Sequence, residues 1–199
     1  MNLGAYIYKT RMMWCRLWTT AYNKVCFVLN GVRYGRNFHS VGMLFVRNAG
    51  VISLGDNVNI NSCARSNPVG GIKTTLFTCV GASIKVGNNV GMSNVTIYSR
   101  ERVTIEDNVV IGAGSKIFDT DFHSVVADFR LNGNTNVFFA PVTLKEGCFV
   151  GADCIILKGV TIGREAVVGA GSVVTKSIPD GQMWSCCPSL YIKDVPITQ

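Results

Sequence analysis

The residue best suited to chemistry is His123, which stands in the run FDTDFHS beside Asp119 and Asp121. A carboxylate that accepts a hydrogen bond from one imidazole nitrogen leaves the other free to take a proton near neutral pH. This arrangement is typical of a general base. The only other histidine, His39, lies in RNFHSVG with no acidic residue nearby, and we interpret it as a surface or packing residue.

Cysteines are the other candidate nucleophiles and metal ligands. The eight cysteines form no C-x-x-C pair and have no regular spacing, which favours reduced thiols over a zinc cage or a disulfide framework. Cys148 and Cys154 fall in the inward column of a repeat and are predicted to be buried structural thiols. We therefore expect no metal requirement and a cytoplasmic location.

A six-residue repeat must position these side chains. Large aliphatic residues recur at Leu144, Val150, Ile156, Ile162, Val168 and Val174, and smaller or aliphatic residues follow four positions after each. Strand alternation divides six evenly, whereas helical periodicity drifts out of phase within two cycles. The pattern predicts an all-β solenoid, a parallel β-helix of hexapeptide repeats.

Shorter runs of the same pattern extend the predicted β-helix upstream, so that it spans residues 51–180. The phase breaks most clearly between Phe118 and Pro141, which predicts an extended loop at 118–141 that carries His123. Catalytic groups concentrate on loops held by a rigid scaffold. Residues 181–199 are interpreted as a C-terminal tail.

The first 50 residues differ in character. Residues 1–55 contain seven Lys or Arg and no acid, which accounts for the whole net charge of +7. The neutral remainder argues against a nucleic-acid surface. Apolar residues spaced at three to four predict an amphipathic helix over residues 11–30, which either caps the first coil or lies on an anionic membrane at the inner face of the cell membrane. No apolar run is long enough for a secretion signal or a membrane span.

The run VGADCIILKGVTIGREAVVGAGSVVTKSIPD resembles the hexapeptide-repeat acyltransferases. The resemblance implies a left-handed β-helix, acetyl-CoA as the acyl donor, and a homotrimer with active sites between neighbouring chains. The run NVTIYSRERVTIEDNVVIGAGSKIFDTDFHSV is most similar to the branch that acetylates sugars of capsular polysaccharide and lipopolysaccharide and is related to the maltose and galactoside acetyltransferases. It implies that His123 deprotonates an acceptor hydroxyl, with Asp119 or Asp121 orienting the imidazole or holding the acceptor.

The resemblance also implies binding residues, position by position. Coenzyme A contacts fall on Phe149, Ala152, Ala170, Thr175 and Lys176, with Lys193 as a late cation. Where related enzymes hold the acceptor sugar with Asn and Asp, this chain has Met92 and Arg100. We therefore expect an acceptor different from theirs.

Two alternative functions remain open. The same base would serve an amine, which leaves an N-acyltransferase acting on an aminosugar or a nucleotide-linked aminosugar. A purely structural solenoid is the non-enzymatic alternative. A zinc-dependent carbonic anhydrase on this scaffold needs three histidines, and the chain has two.

Overall fold

The computed structural model describes residues 3–64, 67, 69, 71, 73–188 and 190–194. It opens with helix α1 (Leu3–Leu29), which begins eight residues before the helix predicted over 11–30. A second, short helix, α2 (Ala127–Leu131), lies within the predicted loop. The remaining regular structure is β-strand.

Short strands follow one another along the chain. Those that precede α2 are β1 (Arg33–Tyr34), β2 (His39–Val41), β3 (Phe45–Asn48), β4 (Val51–Leu54), β5 (Asn59–Asn61), β6 (Thr75–Thr78), β7 (Ser83–Val86), β8 (Gly91–Ser93), β9 (Thr96–Ser99), β10 (Arg102–Ile105), β11 (Val110–Ile111) and β12 (Lys116–Phe118). Those that follow it are β13 (Val142–Leu144), β14 (Phe149–Val150), β15 (Ile155–Ile156), β16 (Thr161–Ile162), β17 (Val167–Val168), β18 (Val173–Val174), β19 (Gln182–Ser185) and β20 (Leu190–Asp194).

Three sheets run along the molecule, and from β1 to β18 each successive strand joins the next sheet. Sheet A is β1-β4-β7-β10-β13-β16, sheet B is β2-β5-β8-β11-β14-β17-β19-β20, and sheet C is β3-β6-β9-β12-β15-β18. All pairings are parallel except that of β19 with β20. Each strand therefore lies above its counterpart one coil below, as a parallel β-helix requires.

The core is built from three columns of mostly aliphatic side chains, one from each sheet, inside the prism. The inward residues of sheet C share one register and are fully or almost fully buried: Leu76, Ile97, Ile117, Ile156 and Val174. Equivalent columns from sheets A and B face them. Because a strand side chain alternates in direction, the residue two positions after an inward aliphatic also points inward.

Stacked asparagines turn the corner between sheets A and B. Asn37, Asn57, Asn89 and Asn108 all have φ between 56° and 61°, a left-handed conformation that asparagine tolerates. The side-chain amides of the first three each donate to the asparagine one coil further on, at 2.9–3.0 Å. The ladder keeps successive coils in register.

The β-helix begins earlier and ends later than the boundaries predicted at 51 and 180. Strands β1 to β3 form a first coil at residues 33–48, and β19 adds a further strand to sheet B beside β17. Helix α1 packs on the first coil, where the Asn23 side chain donates to Ser40 Oγ at 2.8 Å and to Gly42 O at 2.9 Å. Of the helices in the part of the chain that is described, none has the length and apolar character to cross a membrane.

Candidate active site

The loop of residues 119–141 leaves sheet C after β12 and returns to sheet A at β13. Its two ends are joined by an antiparallel bridge between Thr120 and Phe139. Ala140 N donates to Asp119 O at 2.9 Å, and Asp121 N donates to Phe138 O at 3.0 Å. The root of the loop is thus fixed to the rigid coil.

His123 lies on this loop and is exposed to solvent. Its backbone N–H donates to Asp121 O at 2.7 Å. Across the described residues, the imidazole ring receives no hydrogen bond and makes none. Both ring nitrogens are therefore available to a substrate or to a neighbouring chain. The other histidine, His39, lies in β2 of the first coil.

Asp119 does not reach His123, because its side chain turns into the coil. It is fully buried and accepts hydrogen bonds from Ser99 Oγ at 2.8 Å, Arg100 N at 2.7 Å and Glu101 N at 2.9 Å. Both carboxylate oxygens are occupied by the corner that follows β9. The prediction that Asp119 orients the imidazole or holds the acceptor is not supported by this geometry, which indicates a structural role.

Asp121 is engaged elsewhere as well. Its carboxylate accepts from Lys158 Nζ at 2.6 Å, and each of the two side chains is about one quarter exposed, 27% and 24% respectively. Lys158 also lies over the Phe138 ring, 5.5 Å from its centroid. The expected contact between His123 and a carboxylate is therefore absent from the described part of the chain. The sequence analysis did not identify Lys158, because it is 37 residues from Asp121 in the chain and only the stacking of coils brings the two together.

Of the two residues predicted to bind the acceptor, Met92 lies inside the coil and Arg100 lies on its surface. Met92 is 2% exposed and lies in the core beside Ile111, so its side chain cannot contact an acceptor. The burial of Met92 therefore does not support the prediction that it binds the acceptor. Arg100 is exposed, and its guanidinium lies 5.1 Å from the centroid of Phe139 at the root of the loop. Arg100 therefore lies at the root of the loop that carries His123.

The residues predicted to bind coenzyme A form separate groups. Ala152 and Ala170 occupy stacked corners between sheets B and C, joined by the 2.8 Å bond from Gly171 N to Ala152 O. Phe149 is 44% exposed on the outer face of β14. Thr175 and Lys176 are exposed at the far edge of sheet C, after β18, and Lys193 lies on β20. Their role in donor binding stays a prediction.

Cys148 and Cys154 are buried in the coil. Burial, with a smaller effect of Glu106, raises the pKa of the Cys148 thiol to about 12, and burial also raises the pKa of Cys154. Both thiols stay protonated at neutral pH and are poor nucleophiles. Among the described residues, no three His, Cys, Asp or Glu side chains are grouped to hold a metal ion.

We expect iodoacetamide to leave Cys148 and Cys154 unmodified in the folded protein while it labels the exposed Cys186 and Cys187. Mass mapping of peptides after alkylation at neutral pH checks this, with a urea-unfolded sample as the control in which all cysteines react. Labelling of Cys148 as fast as that of Cys186 would show that the thiol is accessible and reactive.

Comparison with known proteins agrees with this architecture. A family profile described as the hexapeptide repeat of succinyl-transferase matches residues 102–117 and 141–176. The galactoside O-acetyltransferase of Escherichia coli (strain K12) is 34% identical over 125 residues, or 62% of this chain and 60% of that relative. The chain thus spans less than two thirds of the length of that relative.

Solved structures share the fold at lower identity. One is a mutant of AntD, an N-acyltransferase from Bacillus cereus, solved with dTDP-4-amino-4,6-dideoxyglucose and coenzyme A. It matches this chain with a TM-score of 0.71 at 23% identity, and the match covers 87% of this chain and 89% of the AntD chain. A hexapeptide-repeat acetyltransferase of Vibrio cholerae, complexed with acetyl coenzyme A, gives a TM-score of 0.53 at 24% identity and covers 63% of this chain and 69% of its own.

The repeat, the fold and the relatives together show that the chain is similar to the hexapeptide-repeat acyltransferases. Among the relatives are galactoside O-acetyltransferases. The predicted resemblance is supported and the predicted left-handed β-helix is confirmed.

Proposed function

We propose that the chain is an acetyl-CoA-dependent O-acetyltransferase that acetylates a hydroxyl of a sugar or glycan precursor, with His123 as the general base. The observation that carries the proposal is the exposed imidazole of His123, free of hydrogen bonds among the described residues, on a loop whose root is fixed to the coil. The similarity to galactoside O-acetyltransferases supports the sugar acceptor and the acetyl donor. Glycans of the capsule or lipopolysaccharide type are the acceptors we favour.

In the proposed reaction, His123 takes the proton of the acceptor hydroxyl as its oxygen attacks the thioester carbonyl of acetyl-CoA. A backbone N–H stabilises the oxyanion of the tetrahedral intermediate. The carbon–sulfur bond then breaks, and the proton held by His123 passes to the thiolate of coenzyme A. The products are the acetyl ester and free coenzyme A, and no acyl-enzyme is formed.

Binding of the donor separates this proposal from a structural solenoid. Acetyl-CoA that binds the folded chain raises its unfolding free energy by about 2.7 kcal/mol at a concentration 100 times the Kd. We expect acetyl-CoA to raise the Tm. Pantetheine, which lacks the nucleotide and phosphates of coenzyme A, should not reproduce this rise. An unchanged Tm at millimolar acetyl-CoA would favour the structural alternative.

Lys158 is paired with Asp121 and the Asp119 carboxylate is buried, so Arg100 is left as an exposed cation at the root of the loop. We propose that exposed Arg100 contacts the acceptor. An amine acceptor is the second candidate, because AntD shares the fold and binds a nucleotide-linked aminosugar. Parallel assays with a sugar that offers only hydroxyl groups and with the corresponding aminosugar distinguish the two acceptors.

We also propose a homotrimer with each active site between neighbouring chains, because one chain leaves its site incomplete. No carboxylate of the described chain orients His123, and the predicted donor residues are divided between sheet B and the far edge of sheet C. Light scattering should give three times the 21.6 kDa mass of the chain. A monomer at micromolar concentration would contradict this part of the proposal.

Helix α1 presents an unusual face to solvent. The side towards the coil buries three polar residues, Thr19, Thr20 and Asn23, together with Phe27. Trp14 and Trp18, by contrast, are 68% and 69% exposed. Basic residues accompany the exposed tryptophans, and no acid occurs up to residue 55. We propose that this face lies on an anionic membrane at the cytoplasmic side, where lipid-linked glycans are assembled.

Vesicles with anionic lipid should therefore bind the protein at low salt, at about 1 kcal/mol for each basic residue near the surface. Sedimentation with vesicles measures this, and neutral vesicles are the control. Replacing Trp14 and Trp18 by Ala should weaken binding, whereas Trp184→Ala, on β19 at the other end of the coil, should not. Failure to bind anionic vesicles at low salt would contradict the membrane proposal and favour contact of this face with another copy of the chain.

A further inference from the structure

We infer that Asn134 and Phe122 are positioning residues that fix the backbone on both sides of His123. The inference rests on the proposed role of His123 as the base. Because no carboxylate among the described residues contacts the imidazole, another device sets its orientation. That device acts on the main chain of the loop rather than on the ring.

A single side chain, Asn134, spans the residue before His123 and the residue after it. Asn134 Nδ2 donates to Phe122 O at 2.9 Å, and Ser124 N donates to Asn134 Oδ1 at 3.0 Å. A backbone carbonyl only accepts and a backbone N–H only donates, so the two bonds also fix which amide atom is nitrogen. Asn134 itself has φ 52°, which asparagine tolerates better than most residues.

Phe122 has a backbone conformation that a bulky residue rarely adopts. Its φ is +62°, and the bond from His123 N to Asp121 O, at 2.7 Å, closes a three-residue turn around it. Such turns with a positive central φ are rare and strained, and strain of this kind persists only where the surroundings enforce it. Phe122 directly precedes His123, so the strained residue is the neighbour of the proposed base.

Contacts of the Phe122 ring hold this strained backbone in place. Its centroid is 4.7 Å from that of Tyr98 and 5.1 Å from that of Phe118, and Tyr98 in turn stacks on Phe77 at 4.6 Å with 9° between the rings. These three partners lie in one column on the outer face of sheet C. Phe122 therefore ties the loop to the coil, because its partners are held by the strand register.

Variants separate the two contributions. Asn134→Ala removes both hydrogen bonds, and Asn134→Asp keeps the acceptor for Ser124 N but places a carboxylate oxygen against Phe122 O. Asn132→Ala is the matched control, because Asn132 lies in the same loop and its amide donates to Asp128 at 2.8 Å instead. Phe122→Ala removes the ring, and Phe122→Tyr retains it.

The readout is the proton–carbon NMR signal of the His123 imidazole in a His39→Gln background, where one histidine remains. We expect Asn134→Ala, Asn134→Asp and Phe122→Ala to move, broaden or split this signal, and Asn132→Ala and Phe122→Tyr to leave it in place. In the same three variants kcat should fall about 10- to 100-fold, with the KM for acetyl-CoA unchanged, because a misplaced catalytic group costs turnover rather than donor binding.

An imidazole signal that is unchanged in Asn134→Ala and Phe122→Ala would overturn the inference, whatever the activity. A changed signal with full turnover in every variant would support the positioning and overturn the role of His123 as the base. The two failures are therefore distinguishable. A urea-unfolding midpoint equal to that of the Asn132→Ala control establishes that the coil remains folded in each variant.

Discussion

Replacing His123 by Ala should lower acetyl transfer by about 10²- to 10⁴-fold, which is the contribution typical of a positioned general base. The imidazole is exposed and makes no hydrogen bond to the described residues, so its removal should leave the unfolding free energy and the Kd for acetyl-CoA nearly unchanged. Transfer rates with a common acceptor, together with calorimetric titration of acetyl-CoA, measure both effects.

His39 provides the matched control, since it is the only other histidine in the sequence and lies in the first coil. His39→Ala should retain the turnover of the natural sequence. Turnover by His123→Ala equal to that of His39→Ala would remove His123 from the mechanism. A general loss of acetyl-CoA binding in His123→Ala would instead assign the residue to donor binding.

Replacing Asp119 by Ala should destabilise the fold by about 2–4 kcal/mol, because hydrogen bonds to a charged group contribute about 1.5–3 kcal/mol each and do not add fully. The substitution leaves Ser99 Oγ, Arg100 N and Glu101 N without their acceptor, at a corner where Asp119 and Ser99 are fully buried. Urea unfolding followed by circular dichroism measures the change. Asp128→Ala, at the exposed end of α2, is the control and should shift the midpoint little.

The same experiment decides between two roles for Asp119. A structural carboxylate lowers stability, while the protein that remains folded keeps its transfer rate per folded molecule. An unchanged urea midpoint together with lost turnover would show that Asp119 faces the substrate instead. Because His123 and Asp119 are four positions apart in sequence, opposite results for the two variants would demonstrate how sharply their roles diverge.

The sequence predicted most of the coil because a six-residue period is a direct consequence of three-sided coils with alternating side chains. The first coil was missed, although Val32, Phe38 and Leu44 recur at six and are buried. Residue Phe38 interrupts the aliphatic column, and it packs instead against Phe27 of α1 at 5.0 Å between ring centroids. That contact depends on how the helix docks, which no local pattern encodes.

The site was predicted less well, for reasons that lie in the backbone. Ile117 points inward, so strand alternation also turns Asp119 inward and away from the loop, a signal that was available in the sequence. The pairing of Asp121 with Lys158 was not available, since it depends on the stacking of two coils. The same alternation places Met92 in the core.

The most direct test of the proposed function is the release of coenzyme A thiol by the natural sequence, incubated with acetyl-CoA and a panel of sugars that offer hydroxyl or amino groups. We predict release that depends on acceptor, is fastest with a hydroxyl acceptor and yields one acetyl ester for each coenzyme A. Protein that binds acetyl-CoA but shows no acceptor-dependent release with any sugar of the panel would contradict the proposal.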